Sequence, residues 1–260
     1  MKRTLACVLV ALACGGNASA QVSAEPWFRG GTVMITAEIG GAAFTDFERS
    51  RARPVDGSLG LNEFDRRVSA RTSFSAGAWI GWWFADGWGI RAGMSWTPTR
   101  FRVWNDEMAQ QALQAHAPAS GEPTYSSLGI WSVHGALLYR FPHSFGRVVP
   151  YAIAGGSWIS YHPGDRDELP PEALTQFDSG ELERAGVLAG IGAAIPLQRE
   201  DLIMTFELTD HIARTPLRAA DADTPFELAG FAMQLERDGA DRVSYAHNVR
   251  LAFGLTLPIR

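Results

Sequence analysis

Residues 72–98 read TSFSAGAWIGWWFADGWGIRAGMSWTP, and the fold follows from them. Phe74, Ala76, Ala78, Ile80, Trp82 and Phe84 share one parity, with Ser73, Ser75, Gly77, Trp79, Gly81 and Trp83 on the other. After Ala85-Asp86-Gly87 the alternation resumes, with Trp88, Ile90, Ala92, Met94 and Trp96 against Gly89, Arg91, Gly93, Ser95 and Thr97. A period of two marks a strand with unlike faces, and Asp-Gly between two such runs marks a tight hairpin.

The same alternation recurs along the chain. Val33, Ile35, Ala37 and Ile39 define a strand in 32–44; Leu202, Met204, Phe206 and Leu208 oppose Thr205, Glu207, Thr209 and His211 in 202–211. Val187, Ala189, Ile191 and Ile195 define 184–195, and Val249, Leu251, Phe253, Leu255, Leu257 and Ile259 define the last strand. Two mixed runs, 128–141 and 149–161, set Trp131, Val133, Leu137, Tyr139 and Phe141, and Tyr151, Ile153 and Ile159, on single parities. Eight strands are expected. Short links at Ala85–Gly87, Pro142–Val148 and Pro196–Asp201 alternate with long polar ones near 45–70, 102–127, 162–182 and 213–243. In an up-and-down barrel, this alternation gathers the short turns at one end and the long loops at the other, the asymmetry of outer-membrane barrels. A soluble eight-stranded barrel gives no reason for it.

The face opposite the apolar one carries Glu38, Arg91, His134, Arg140, Glu207 and Arg250 among Ser, Thr and Gly. Isolated charges are costly in a dry core, whereas a narrow membrane barrel has an interior in which opposite charges pair. The apolar face is therefore expected to meet lipid. At least one Glu-Arg pair is expected inside, with Arg250 the natural partner of both Glu38 and Glu207. Trp79, Trp83 and Trp158 are expected to fill the lumen. Girdles are expected from Trp82, Phe84, Trp88, Tyr139, Phe141 and Tyr151 near the short turns, and from Trp96, Phe101, Trp131 and Tyr161 near the long loops.

Export is read at the N-terminus. Lys2 and Arg3 precede an apolar run from Leu5 to Cys14, and Ala18-Ser19-Ala20 is a small-x-small cleavage pattern. Residues 1–20 read as a signal peptide cut near Ala20, leaving 21–260 as the barrel domain. Cleavage before a lipidated Cys14 is the competing reading, against which Ala11-Leu12-Ala13-Cys14 is a poor lipobox. Both cysteines, Cys7 and Cys14, lie in this segment, so disulfides cannot staple the mature chain. The net charge is −5 and no lysine follows Lys2, which argues against a nucleic-acid binder.

The signal peptide, the eight runs, the four long loops and the final strand from Asn248 to Arg260 together resemble the outer-membrane β-barrel superfamily that includes the OmpA transmembrane domain, OmpX and OmpW. The resemblance covers the mature chain. It implies an all-β, eight-stranded antiparallel up-and-down transmembrane barrel in the outer membrane, with short periplasmic turns and long external loops. Outer-membrane lipid, lipopolysaccharide and the assembly machinery would be its partners, beside an external partner that the sequence does not name. Final strands of that superfamily commonly end in an aromatic residue. This one ends Pro258-Ile259-Arg260, and no peptidoglycan-binding domain is expected after it.

Chemistry is sparse. Residues 105–117 read as a short loop helix capped by Asn105, with Met108, Ala112 and Leu113 tucked down. Asp165, Asp167, Glu168, Glu172, Asp178 and Glu181 make the third long loop acidic without the spacing of a calcium loop. Lipid A deacylases carry a late His-x-Ser; here His247 is followed two residues on by Val249, so the nucleophile is missing. Glu207 and His211 share a strand face without a nucleophile beside them. No cofactor, metal site or enzymatic activity is expected. The expected role is a structural or surface-interaction scaffold with a plugged lumen; the alternatives are a small conduit for apolar molecules and, behind it, a lipid A-modifying enzyme.

Overall fold

Alternating residues make strands whose edges must all be paired, and in the computed structural model they are paired by closure. The structure describes residues 25–55, 64–105, 127–164, 183–197, 202–216, 225–228, 231–235 and 245–259. Eight antiparallel strands form the wall: β1 (Thr32–Phe44), β4 (Ser73–Ala85), β5 (Trp88–Asn105), β6 (Ser127–Arg140), β7 (Val149–Pro163), β8 (Glu183–Pro196), β9 (Ile203–Arg214) and β12 (Tyr245–Ile259). Each pairs with the next, and β1 closes on β12 from Val33↔Ile259 to Phe44↔Asn248.

The register fixes the size of the cylinder. Paired residues run from Met34 through Gly81, Arg91, Ala136, Gly155, Leu188, His211 and Asn248 and return to β1 at Phe44, ten residues beyond the start. Eight strands with that stagger tilt by about 40° and enclose a cylinder of backbone radius about 8 Å, given strands ~4.8 Å apart with a ~3.3 Å rise. Long side chains from opposite walls meet inside such a cylinder.

Parity sorts the side chains as alternation predicts on seven of the eight strands. Ile35, Ile39, Phe74, Ile80, Trp82, Ile90, Met94, Trp96, Val133, Val187, Ile191, Leu208, Leu251, Phe253 and Leu257 are exposed on the outer wall. From Val249 to Ile259, outward residues on β12 cover about 25 Å along the axis, the height of the apolar band that membrane barrels turn to hydrocarbon. Trp82 and Phe84, Trp88 and Tyr139, and Trp96 and Trp131 pair at ring-centroid distances of 5.9, 4.6 and 6.1 Å toward its two margins.

On β7 the expectation is reversed. Tyr151, Ile153, Ile159 and Tyr161 are buried inside while Trp158 is exposed, so Tyr151 and Tyr161 are not girdle residues and Trp158 does not fill the lumen. Ala152, Ala154 and Gly156 occupy the outer parity, and periodicity alone does not say which of two mixed faces turns in. Phe101 is likewise buried rather than interfacial.

Four further strands extend the wall from two of the segments read as long loops. β2 (Asp46–Pro54) and β3 (Phe64–Ala70) fold as a hairpin on the end of β5, and β10 (Pro225–Leu228) and β11 (Phe231–Leu235) continue that sheet through β2. Arg66 interrupts the parity on which Val68 and Ala70 of β3 are buried, which leaves an apolar run too short to read as a strand. Asn105 ends β5. The helix expected over 105–117 otherwise lies outside the described residues, as do the acids 165–181 and the signal segment 1–20.

Candidate functional site

The interior is layered. At the short-turn end a 3₁₀ turn, Glu25–Phe28, folds beneath the wall and inserts Trp27 and Phe28. Its exit is pinned by Gly31 N donating to Trp83 O at 2.7 Å and by Gly87 N donating to Phe28 O at 3.3 Å. Gly31 and Gly87 have φ of 94° and 81°, in the left-handed region that glycine tolerates. Phe28 meets Trp83 edge-on at 5.0 Å, and Trp83 Nε1 donates to Met34 Sδ at 3.2 Å. With Trp79, Leu138, Tyr151, Ile153 and Leu188 these close the floor.

Above the floor sits the charged layer. Arg91 Nη1 donates to Glu207 Oε1 and Oε2 at 2.7 and 2.8 Å, and Tyr151 Oη donates to Glu207 Oε1 at 2.6 Å. β5 and β9 stand four places apart in a ring of eight, so this pair is a strut across the full diameter. Arg250 Nη1 donates to Glu38 Oε1 at 2.6 Å and its Nε to Ser75 Oγ at 2.8 Å, linking the closing strands to β4. Arg250 is therefore not the partner of both glutamates. Glu207 reaches the opposite wall because the cylinder is narrow enough for two long side chains to meet near its axis. The guanidinium of Arg91 lies 5.2 Å from the Trp79 ring.

Space for these groups comes from missing side chains. A Cβ on Gly77 would stand 2.8 Å from Glu38 Oε1 and 2.9 Å from Arg250 Nη2, and one on Gly192 would enter the Tyr151 ring. His134 is buried with neither ring nitrogen partnered, and its ring lies 5.8 Å from that of His211. Arg140 is half-buried near the floor, 5.9 Å from the Phe28 ring, with no acid beside it among the described ion pairs.

A ceiling of Phe47, Val68, Phe101, Leu128, Ile130, Ile159 and Tyr161 covers the charged layer at the long-loop end. Between them a cavity of about 20 Å³ is lined by Ser95, Thr97, Ser132, His211, Asn248 and Arg250, room for about one water. Thr36 and Thr256 share a 2.6 Å hydrogen bond beside β1 and β12, and Ser95 and Ser132 share one of 2.7 Å.

Glu207 and His211 face inward, and no nucleophile is hydrogen-bonded to His211 among the described residues. On the outer wall His247 Nδ1 lies 2.6 Å from Asp210 Oδ2, a carboxylate partner the sequence did not reveal, and Val249 stands opposite Asp210 in the register. No group of three or more His, Cys, Asp or Glu able to hold a metal occurs among the described residues.

No family model matches the sequence, and no curated protein does. Several solved outer-membrane barrels are similar in fold. OprG from Pseudomonas aeruginosa aligns over 87% of this chain and 96% of its own at 12% identity, with a TM-score of 0.49. For AlkL in lipid bilayers the figures are 95%, 97%, 10% and 0.42. For outer membrane protein W of E. coli they are 86%, 98%, 14% and 0.33. Gly77, Trp79 and Trp83 were placed on the inner parity by the sequence, whereas Gly192 was not singled out. The inserted Trp27-Phe28 turn and the role of Tyr151 were not visible there either, since both lie outside any alternating polar face.

Proposed function

We propose that this chain is a small bacterial outer-membrane protein that works as a structural and surface-interaction scaffold, its lumen plugged and its long loops turned outward. The observation that carries the reading is the sealed interior: apolar layers close both ends of an ion-paired middle, inside a wall whose outer band is apolar. A conducting pore needs a continuous polar path, and the floor of Trp27, Phe28, Trp79 and Trp83 interrupts one. Lipid of the outer leaflet, lipopolysaccharide included, is the partner such a wall requires, and insertion by the assembly machinery would follow export with cleavage near Ala20. Reconstitution in a planar bilayer tests the reading. No steady conductance is expected; a steady open state would overturn the plugged scaffold in favour of a conduit.

A further inference from the structure

β5 is one continuous strand of 18 residues, and its outward parity does not end with the apolar band. Above Trp96, which packs 6.1 Å from Trp131, come Pro98, Arg100 and Arg102, both arginines exposed. β3 pairs alongside, placing Ser69 opposite Arg102, and Arg71 N donates to Arg100 O at 3.0 Å. Arg67 and Arg71 thus share the outward face with Arg100 and Arg102, and both are exposed. Arg51 joins them through β2, 3.7 Å from Asp65, and Asp46 stands opposite Ser69. Arg100 and Arg102 themselves stand two residues apart on this outward face of β5. Ser127 opposite Arg100 and His162 opposite Gly129 add exposed polar groups on the neighbouring strands.

Position and chemistry point to one ligand class. Arg100 stands about 10 Å above Trp96 along the axis, given a ~3.3 Å rise and a ~40° tilt, so its guanidinium lies at headgroup depth when the tryptophans sit at the edge of the hydrocarbon. The guanidinium groups of Arg100 and Arg102, neighbours on one strand face, repel unless an anion lies between them, and the planar guanidinium fork matches phosphate oxygens two at a time. We propose that the outward face of the β3–β5 ribbon, centred on Arg100 and Arg102, binds the phosphates of an anionic glycolipid in the membrane leaflet at the long-loop end. The assignment rests on the membrane placement proposed above and names the lipid chemistry that this side of the wall selects.

The test compares wild type with the Arg100→Gln/Arg102→Gln double variant in phosphatidylcholine nanodiscs doped with bisphosphorylated lipid A, with dephosphorylated lipid A as the second probe. Bound glycolipid is counted by native mass spectrometry, and heat-modifiable migration reports the folded barrel. Wild type is expected to retain the phosphorylated form about tenfold better than the dephosphorylated one, and the variant to lose that preference, as for removal of charge-assisted hydrogen bonds. Equal retention of the two lipids, or a preference unchanged in the variant, overturns the site while a folded, inserted barrel leaves the scaffold reading standing. Displacement by a soluble sulfated polysaccharide at concentrations that spare lipid binding elsewhere would assign the face to an external polyanion instead. Failure of wild type to enter the nanodisc would remove both readings.

Discussion

Removing one end of the Arg91–Glu207 strut should cost far more than removing both. Their side chains are 2% and 3% exposed, and the carboxylate is held by two short bonds from Arg91 and one from Tyr151. Glu207→Leu leaves the guanidinium buried against Trp79 with no counter-charge, a change worth about 3–5 kcal/mol, or roughly two to four powers of ten in the unfolding equilibrium. Arg91→Leu is expected to cost a similar amount. The double variant Arg91→Leu/Glu207→Leu leaves no buried charge unpaired, and the space left by the shorter leucines together with the freed Tyr151 hydroxyl sets its cost at about 1–2 kcal/mol. The assay is urea unfolding from lipid vesicles followed by tryptophan fluorescence, with folding reversibility checked for each variant. Coupling across the cycle is expected to exceed about 2 kcal/mol. A Glu207→Leu protein as stable as wild type, or a double variant that loses the sum of the singles, would refute the idea that this pair crosses the barrel as a unit.

Other outcomes follow from the same geometry. Gly77→Ala should destabilise by about 1–3 kcal/mol in the same unfolding assay, because the new methyl displaces the Glu38–Arg250 pair, whereas Gly41→Ala on the open outer wall should be near neutral. Trp27→Ala should cost about 3–5 kcal/mol if the 3₁₀ turn seals the floor, and an unchanged midpoint would show that the turn is not docked there. Phe253→Arg, near the middle of the outer band and packed on Phe206 at 5.0 Å, should cost about 2–4 kcal/mol in bilayers, read as reduced folded yield in vesicles. His134→Met should be neutral or stabilising, since it removes two ring nitrogens with no partner; a loss above about 1 kcal/mol would show that they are satisfied.

The wall was legible in the sequence because lipid and lumen impose opposite demands on alternate residues. Strands such as β4, β5 and β12 carry that contrast along their whole length. It fades where both faces are similar: on β7, Ala152, Ala154 and Gly156 outside leave Tyr151 and Ile153 as the apolar parity although they point inward. It fails in the β2–β3 ribbon, where arginines occupy both parities and only tertiary pairing declares a strand. Parity placed Glu38, Arg91, Glu207 and Arg250 on one side of the wall, but it could not choose among partners. That choice depends on the stagger and the radius, which arise from all eight registers together. The cavity beside His211 and the plug from Trp27 and Phe28 depend on packing between segments distant in the chain, and no local pattern announces them.

The seam between β1 and β12 joins Val33 to Ile259, nearly the two ends of the described chain. Every other junction of the eight-stranded cylinder joins strands that follow one another in its order along the chain, but this one closes a loop of more than two hundred residues and has to await the last strand. Until then both β1 and β12 present a bare row of amide and carbonyl groups, which lipid cannot satisfy and a second unfinished sheet could. The Glu38–Arg250 pair and the Thr36–Thr256 hydrogen bond straddle that same seam from the inside. They act as a latch, formed only when β1 meets β12, and so favour that pairing over β1 against β1 or β12 against β12.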